Sequence, residues 1–329
     1  MKLLGDYFKI GKFFFVFTFG FLLFLGCNDG DKVEKEIAQI DTNVRISRFD
    51  REFANAKPED IQHLKQSYPY LFPAQYTDSV WVAKINDTLQ IQLSTEAEKE
   101  FGDFEEQRAD LDLLFKHIIY YFPNYQIPKV VTLASDVDYD HKIVLTDSLL
   151  LINLDNYLGK EHEFYRGIQN YFASGLDKQF MVSDVASAFA QNVVPRPENR
   201  NFLSYIIYYG KILCLKDKLI PFDTDAQKIG YLQDQFTWAQ ANEEQMWRYF
   251  IESQLLYSTD QKLKQRFLDP APFSKFGLEL DNESPGSVGR YMGWQIVRSF
   301  MKHNDVTLRQ MLSLPADEIF KKSNYKPKK

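Results

Sequence analysis

Cysteine is scarce in this chain of 329 residues, where only Cys27 and Cys214 occur. Two cysteines allow at most one disulfide, which excludes the small scaffolds that depend on a network of disulfides. Cys214 lies in the apolar run 212–215, where a buried and unreactive thiol is expected rather than a nucleophile. Cys27 has a different setting, at the end of a longer apolar run.

The chain also lacks an excess of positive charge and the sequence motifs of several common enzyme classes. Lys and Arg number 39 against 45 Asp and Glu, so the net charge is −6. Because nucleic-acid binding needs clustered Lys and Arg, we expect no nucleic-acid partner. The sequence contains no Gly-x-Ser-x-Gly elbow, no Walker loop and no Gly-x-Gly-x-x-Gly fingerprint, and we expect no cofactor.

Paired histidines are absent as well. No two of the five are three or four residues apart, so no helix presents two imidazoles to one metal; they are His63, His117, His141, His162 and His303. Four aspartates imitate a calcium loop, with His141 at the sixth position, where the sharp turn needs glycine. A solvated hairpin turn is therefore favoured over a calcium site at Asp136, Asp138, Asp140 and Asp147.

The N-terminal segment has the pattern of a bacterial lipoprotein signal. Three lysines precede the apolar run 13–25, which ends at Gly26 and Cys27 and is followed by polar residues. The run is too short for a membrane span, which needs about 20 residues. We expect cleavage after residue 26, so that Cys27 carries the acyl chains, palmitate among them, that tether the protein to a membrane. The position three before the cysteine is Phe24, where Leu is usual.

The rest of the chain predicts a flexible tether over 27–40 and one globular domain over 41–325, because no Gly-, Ser- or Pro-rich linker interrupts it. The fold class is α+β and mostly α-helical, with a small antiparallel sheet. Strands are predicted near 44–53, 130–133, 143–145 and 149–154. Helices are predicted over 99–122, 161–172, 178–193, 199–216, 224–236, 242–257, 284–303 and 305–322.

A row of small residues marks one of these helices. Ser284 and Pro285 have the pattern of an N-cap and a first helical position, and Gly286, Gly289 and Gly293 then recur at three and four residues. Each glycine costs about 1 kcal/mol of helix propensity, which close packing or a ligand usually offsets. Tight helix packing is favoured over a binding groove.

The lipoprotein start, the apolar strand 149–155 and the helix 284–297 together resemble the GldB family of gliding motility lipoproteins. The resemblance implies a role in the gliding of bacteria that move with surface adhesins, through machinery tied to the type IX secretion system. It also implies a lipid-anchored, periplasm-facing protein of the cell envelope. The implied partners are other motility or secretion proteins of the envelope.

The GldB family is in turn similar to zincin-like putative metalloproteases, which implies a zincin-like single domain. In those proteins one helix carries His-Glu-x-x-His, and the corresponding helix here is 181–194. Ser187, Ala188 and Gln191 then take the places of His, Glu and His. These side chains supply neither the ligands nor the general base that a catalytic zinc needs, so no metal site and no catalytic residues are expected.

Three functions follow as hypotheses. The leading one is a non-enzymatic assembly or binding protein, with strand 149–154 pairing with an extended partner segment. A hydrolase with a non-histidine site is the alternative, and it predicts convergent carboxylates in a cleft. A carrier for a hydrophobic ligand is the third, and it predicts a large sealed apolar cavity.

Overall fold

The computed structural model describes residues 29–278 and 281–328. The chain divides into two compact units, Met1–Gln39 and Ile40–Lys329. In the first unit Asp29–Ala38 form a helix, within the segment 27–40 that the sequence predicts as a flexible tether. The predicted signal peptide and Cys27 lie outside the described residues. Within the described part, none of the helices combines the length and the apolar character that crossing a membrane requires.

Helices dominate the described residues. The α-helices are α1 (Asp29–Ala38), α2 (Phe49–Ala54), α3 (Ile61–Ser67), α4 (Asp78–Ile85), α5 (Thr88–Phe101), α6 (Glu105–Tyr121), α7 (Asn170–Ala173), α8 (Met181–Val193), α9 (Phe202–Leu219), α10 (Asp225–Ile229), α11 (Gln233–Ala241), α12 (Glu243–Glu252), α13 (Lys262–Phe267), α14 (Val288–His303), α15 (Leu308–Ser313) and α16 (Ala316–Lys322). Short 3₁₀ helices lie at Pro58–Asp60, Pro69–Leu71, Tyr139–His141, Leu154–Asn156, Glu163–Tyr165, Lys178–Phe180 and Asp281–Glu283.

The strands form one four-stranded sheet in the order β1-β2-β4-β3, and the α+β, mostly helical class is thereby confirmed. The strands are β1 (Ile46–Ser47), β2 (Lys129–Leu133), β3 (Ile143–Leu145) and β4 (Leu149–Asn153). β2 is parallel to both β1 and β4, and only β3 runs antiparallel to its neighbour β4. The prediction of an antiparallel sheet is therefore wrong, because the sheet is mixed.

The burial of the central strands explains this arrangement. Val130, Leu150 and Ile152 face the main hydrophobic core, while Val131 on the opposite face belongs to a smaller cluster with helices α2 and α3. Because both faces are covered, the central strands are continuous apolar runs, which is typical of parallel sheets. The continuous run at β4 was the sequence signal for this central position.

Several predicted helices are shorter than expected, because local backbone turns divide them. The single helix predicted over 99–122 is split into α5 and α6 at Gly102 and Phe104, both of which have positive φ. Gly230, also at positive φ, separates α10 from α11. Pro315 separates α15 from α16, and the helix predicted over 161–172 consists mostly of turns and a short α7.

Helices α9 and α14 cross at very close range. A Cβ at Gly210 of α9 would lie 2.3 Å from the carbonyl oxygen of Gly293 in α14. A Cβ at Gly293 would in turn lie 1.8 Å from the carbonyl oxygen of Ile206. Only glycine allows the two backbones to approach so closely. This contact fixes α9 and α14 as the rigid centre of the helical core.

Candidate functional site

A cleft of about 430 Å³ lies where α8, α9 and the N-terminal end of α14 meet the segment before β3. Its walls combine aromatic side chains with four cationic side chains and two carboxylates. The lining residues that matter below are Asp140, Lys142, Tyr171, Phe172, Ser183, Asp184, Ser187, Gln191, Tyr209, Lys216, Lys228, Gly286, Ser287 and Arg290.

A buried lysine and two serines form the polar centre of the cleft wall. Nζ of Lys216 in α9 donates hydrogen bonds of 2.7 Å to Oγ of Ser183 and of 2.7 Å to Oγ of Ser187 in α8. Oγ of Ser183 donates to the carbonyl oxygen of Gln227, and Oγ of Ser187 donates to the carbonyl oxygen of Ser183. Lys216 is only 3% exposed, whereas Ser187 is partly exposed.

Burial lowers the pKa of Lys216 to about 8, although Asp184 and Asp223 raise it slightly. Among the described residues no carboxylate oxygen lies within 4 Å of this ammonium group. The sequence analysis missed Lys216. It follows Ile212 by four residues and Leu213 by three in an apolar stretch of α9, and all residues from 210 to 216 are buried.

Asp184, three residues before Ser187 in α8, accepts hydrogen bonds from two side chains. The ammonium group of Lys142 donates to Oδ2 of Asp184, and the hydroxyl of Tyr157 donates to the same oxygen at 2.9 Å. Full burial of Tyr157, together with the nearby Asp184 charge, raises the pKa of its hydroxyl well above the usual value. The negative charge of Asp184 is therefore already matched by Lys142.

Lys228 is likewise engaged by carboxylates. Its Nζ lies 3.4 Å from Oδ1 of Asp225 and 3.7 Å from Oδ1 of Asp217. Arg298 contacts the same two carboxylates through two-pronged hydrogen bonds, with Nε 2.7 Å from Asp217 and Nη1 2.7 Å from Asp225. Its guanidinium also lies over the ring of Trp294, at 3.7 Å from the centroid. This network holds α9, α10 and α14 together beside the cleft.

Arg290, in the first turn of α14, is the fourth cation of the cleft. Its Nε donates to the carbonyl oxygen of Leu268 at 2.6 Å, and its guanidinium lies 4.4 Å from the ring centroid of Tyr209. Within residues 29–278 and 281–328, no carboxylate oxygen lies within 4 Å of it. Arg290 and Lys216 are therefore the two cations of the cleft that lack a close carboxylate partner.

The structure partly brings together the three positions that the resemblance to zincins predicts as a degenerate metal motif. Ser187 and Gln191, four residues apart in α8, both line the cleft, whereas Ala188 does not. These residues do not fit zinc: a hydroxyl, a methyl and a carboxamide replace the expected ligands and base. The ammonium of Lys216, 2.7 Å from Oγ of Ser187, would also repel a divalent cation.

The three glycines at residues 286, 289 and 293 lie in two different settings, helix packing and the cleft. Gly289 and Gly293 pack against α13 and α9, where an added Cβ would lie within 3 Å of backbone oxygens of Phe267 and Ile206. Gly286 lies at the cleft, where its carbonyl oxygen accepts a 2.6 Å hydrogen bond from the hydroxyl of Tyr231.

The start of this helix differs from the prediction. α14 begins at Val288, after Ser287 with φ 60°. Ser284 is not its N-cap, because the Ser284 hydroxyl accepts a hydrogen bond from the backbone N–H of Ser274. Pro285 precedes the helix, and its carbonyl oxygen accepts a 2.8 Å hydrogen bond from the Ser274 hydroxyl.

Other sequence candidates lie outside the cleft chemistry. Asp136, Asp138 and Asp147 are exposed, and Asp136 forms an ion pair with Lys84 at 2.7 Å. The described residues contain no group of three or more His, Cys, Asp and Glu side chains that could hold a metal ion. Cys214 is free and buried, as predicted, and burial raises the pKa of its thiol to about 12.

The geometry also bears on the hypotheses about binding. β4 is paired on both sides, with β2 and with β3, so the prediction that it adds an extended partner segment is wrong. The cleft contains more cations than carboxylates, which differs from the convergent acids expected of the hydrolase alternative. Its lining is not the sealed apolar surface that a carrier for a hydrophobic ligand would need.

Comparison with known proteins gives one match. A family model described as gliding motility protein GldB matches residues 30–327, which is nearly all of the described chain. No curated protein and no solved structure matches the chain.

Proposed function

Because the chain belongs to the GldB family of gliding motility proteins, we propose that it is a non-enzymatic binding component of the envelope machinery for gliding, linked to type IX secretion. The observation that carries the proposal is the family match over residues 30–327. The cleft supports a binding role, since it is large enough for a ligand and combines aromatic walls with a few polar groups.

The proposal includes a lipid anchor and a periplasm-facing position. The apolar run before Cys27 supports it, because the run is of signal-peptide length and ends at a cysteine. Two or three acyl chains hold a protein on a membrane with about 0.8 kcal/mol per buried CH₂. A domain tethered in this way meets its envelope partners at a membrane surface.

The proposal also includes descent from a zincin-like body whose metal chemistry is lost. In support, α8 contacts β3 and α9, and it places Ser187 and Gln191 on the cleft wall four residues apart, as two metal-binding histidines of one helix would be. The donor set at these positions has no imidazole and no carboxylate.

Deletion of the gene, scored for colony spreading and adhesin secretion, tests the proposed role. We expect both to be lost and to be restored by the wild-type gene. A Cys27→Ala form, which cannot be acylated, is expected not to restore them. Restoration by that form would overturn the proposed anchor, and normal spreading of the deletion strain would overturn the proposed role.

A hydrolase remains the second candidate, because one observation favours it. Ser187 is partly exposed and its Oγ lies 2.7 Å from Nζ of Lys216, whose pKa is lowered to about 8 by burial. In serine–lysine hydrolases a neutral amine takes the proton of the serine hydroxyl as its oxygen attacks an acyl carbon. Against this role, Ser187 lies within a regular helix, whose backbone N–H groups are already used and offer no oxyanion hole.

Labelling with a fluorophosphonate probe separates the two candidates. The hydrolase predicts covalent labelling of the wild-type chain that Ser187→Ala abolishes. The binding role predicts no labelling at Ser187. Ser183→Ala is the matched control, because Ser183 also contacts Lys216 but is buried.

A further inference from the structure

The cations of the cleft are unevenly paired. Lys142 is matched by Asp184, and Lys228 by Asp217 and Asp225. Within the described part of the chain, Lys216 and Arg290 have no such pairing: they donate to hydroxyl and carbonyl oxygens, and Arg290 also lies over the ring of Tyr209. The cavity thus contains two positive charges without a carboxylate in direct contact among the described residues.

Both cations also have hydrogen-bond donors to spare. An ammonium group has three N–H donors, and two of those of Lys216 are used by Ser183 and Ser187. A guanidinium has five, and only the Nε donor of Arg290 has a partner among the described residues. Because hydrogen bonds between a cation and an oxyanion are stronger than neutral ones, an oxyanion in the cleft would be stabilised by these groups.

The surroundings indicate the kind of anion. Asp140 is exposed at the cleft without an ion-pair partner in the described part of the chain, and it disfavours a doubly charged group. A single negative charge is the better match for two cations and one unpaired carboxylate. Tyr171, Phe172 and Tyr209 supply apolar and aromatic walls for the body of the ligand.

We propose that the cleft binds the carboxylate of an aromatic or apolar ligand, a small organic acid or the C-terminal end of a peptide, with Lys216 and Arg290 as its positive partners. The hydroxyls of Ser183 and Ser187 both accept hydrogen bonds from the Lys216 ammonium, and either one alone leaves it with a partner at the cleft wall. This inference rests on the proposed binding function, whose ligand class it names.

Calorimetric titration of the full chain, purified in detergent, tests the proposal with defined probes. N-acetylphenylalanine and the tripeptide acetyl-Ala-Ala-Phe are each compared with their C-terminal amides. We expect each acid to bind at least about tenfold more tightly than its amide, since a charged hydrogen bond is lost in the amide. Tighter binding of the tripeptide acid identifies a peptide end as the source, and equal binding of the two acids identifies a small organic acid.

Two pairs of variants connect binding to the two cations. Arg290→Gln is expected to weaken acid binding about tenfold, whereas Arg309→Gln is expected to leave it unchanged. Arg309 is a matched control, because its Nε also donates to a backbone carbonyl and its guanidinium also lies over a ring, but away from the cleft. Lys216→Met is likewise expected to weaken acid binding, and Lys211→Met is its control. Lys211 is a second buried lysine whose pKa is lowered by burial to about 8, and it does not line the cleft.

Equal binding of acids and amides, no binding of either acid, or equal effects of Arg290→Gln and Arg309→Gln would overturn the inference. The thermal midpoint of each variant shows whether it is folded, and Arg290→Gln keeps the test decisive if Lys216→Met does not fold. These results do not depend on motility. A strain that needs this gene for spreading, together with a chain that binds no carboxylate, would leave the proposed function standing and refute the ligand class.

Discussion

The ammonium nitrogen of Lys216 lies 2.7 Å from the hydroxyl oxygen of Ser187, which the resemblance to zincins aligns with the first histidine of their metal motif. A fixed positive charge therefore borders the position where the resemblance to zincins implies a metal ligand. This charge belongs to a lysine side chain and not to a bound metal ion, so a chelator would not remove it.

Lys216 is expected to contribute a rise in stability with pH between about pH 8 and 10.5. It has a pKa of about 8 in the folded chain against 10.5 for a free lysine, so the folded chain loses this proton first. The unfolded chain then binds more protons at this residue, whose contribution to the free energy of unfolding rises by up to about 1.4 kcal/mol per pH unit. Lys211, with a similarly lowered pKa, adds to the slope, and Cys214, with a raised pKa, opposes it. Urea unfolding at several pH values measures the slope. Lys216→Met should reduce it, and an unchanged slope would contradict the assignment.

The crossing of α9 and α14 should not tolerate a side chain at Gly293. A Cβ there would lie 1.8 Å from the carbonyl oxygen of Ile206, and neither backbone can move without disturbing the core. Gly293→Ala is expected to lower the free energy of unfolding by about 3 kcal/mol or more. Gly175→Ala is the control, with a Cβ at an ordinary 3.5 Å from the nearest backbone oxygen and an expected change within about 1 kcal/mol. Equal stability of the two variants in urea would refute the close crossing.

Arg298 is expected to contribute far more to the free energy of unfolding than an exposed arginine does. Its hydrogen bonds, against the opposing effect of burial, lower the pKa of Asp225. Arg298→Met should lower the free energy of unfolding by about 3 kcal/mol at pH 7, because it leaves Asp217 and Asp225 without their main partner. Arg248→Met, which removes an exposed pair with Glu244 on one helix, should cost about 0.5 kcal/mol or less.

The same network predicts an acid-dependent effect. Because the folded pKa of Asp225 is lowered, its contribution is present above the unfolded pKa of about 3.9 and is lost as the pH falls through the folded value. The stability difference between the wild type and Arg298→Met should therefore shrink below about pH 4. A difference that stays constant from pH 7 to pH 3 would show that packing, rather than charge, accounts for the effect.

The sequence predicted the class of fold better than the arrangement of the sheet. Apolar patterns located most of the longer helices, since α8 and α14 each bury one face and α9 is an apolar helix buried over most of its length. The order of the strands depends on contacts between distant segments, such as β1 with β2, which local patterns do not encode. The continuous apolar run of β4 did carry the information that both of its faces are buried, and it was interpreted instead as part of an antiparallel sheet.

The candidate site was found only in part. The family resemblance led to Ser187 and Gln191, which do line the cleft, but the cations that give the cleft its character were missed. Lys216 comes from α9 and Arg290 from α14, and both line the cleft beside the close crossing of these two helices at Gly210 and Gly293. The one signal in the sequence that could have revealed these cations is a lysine, Lys216, within the apolar stretch of a predicted helix.

The most direct test of the account is restoration of colony spreading in a deletion strain by matched variants of the cleft. If the cleft acts by binding rather than by hydrolysis, Ser187→Ala should restore spreading, because Lys216 keeps its hydrogen bond to Ser183, whereas Arg290→Gln should fail and Arg309→Gln should succeed. Loss of spreading with Ser187→Ala and full spreading with Arg290→Gln, both at normal protein levels, would contradict the account and favour a serine-dependent hydrolase.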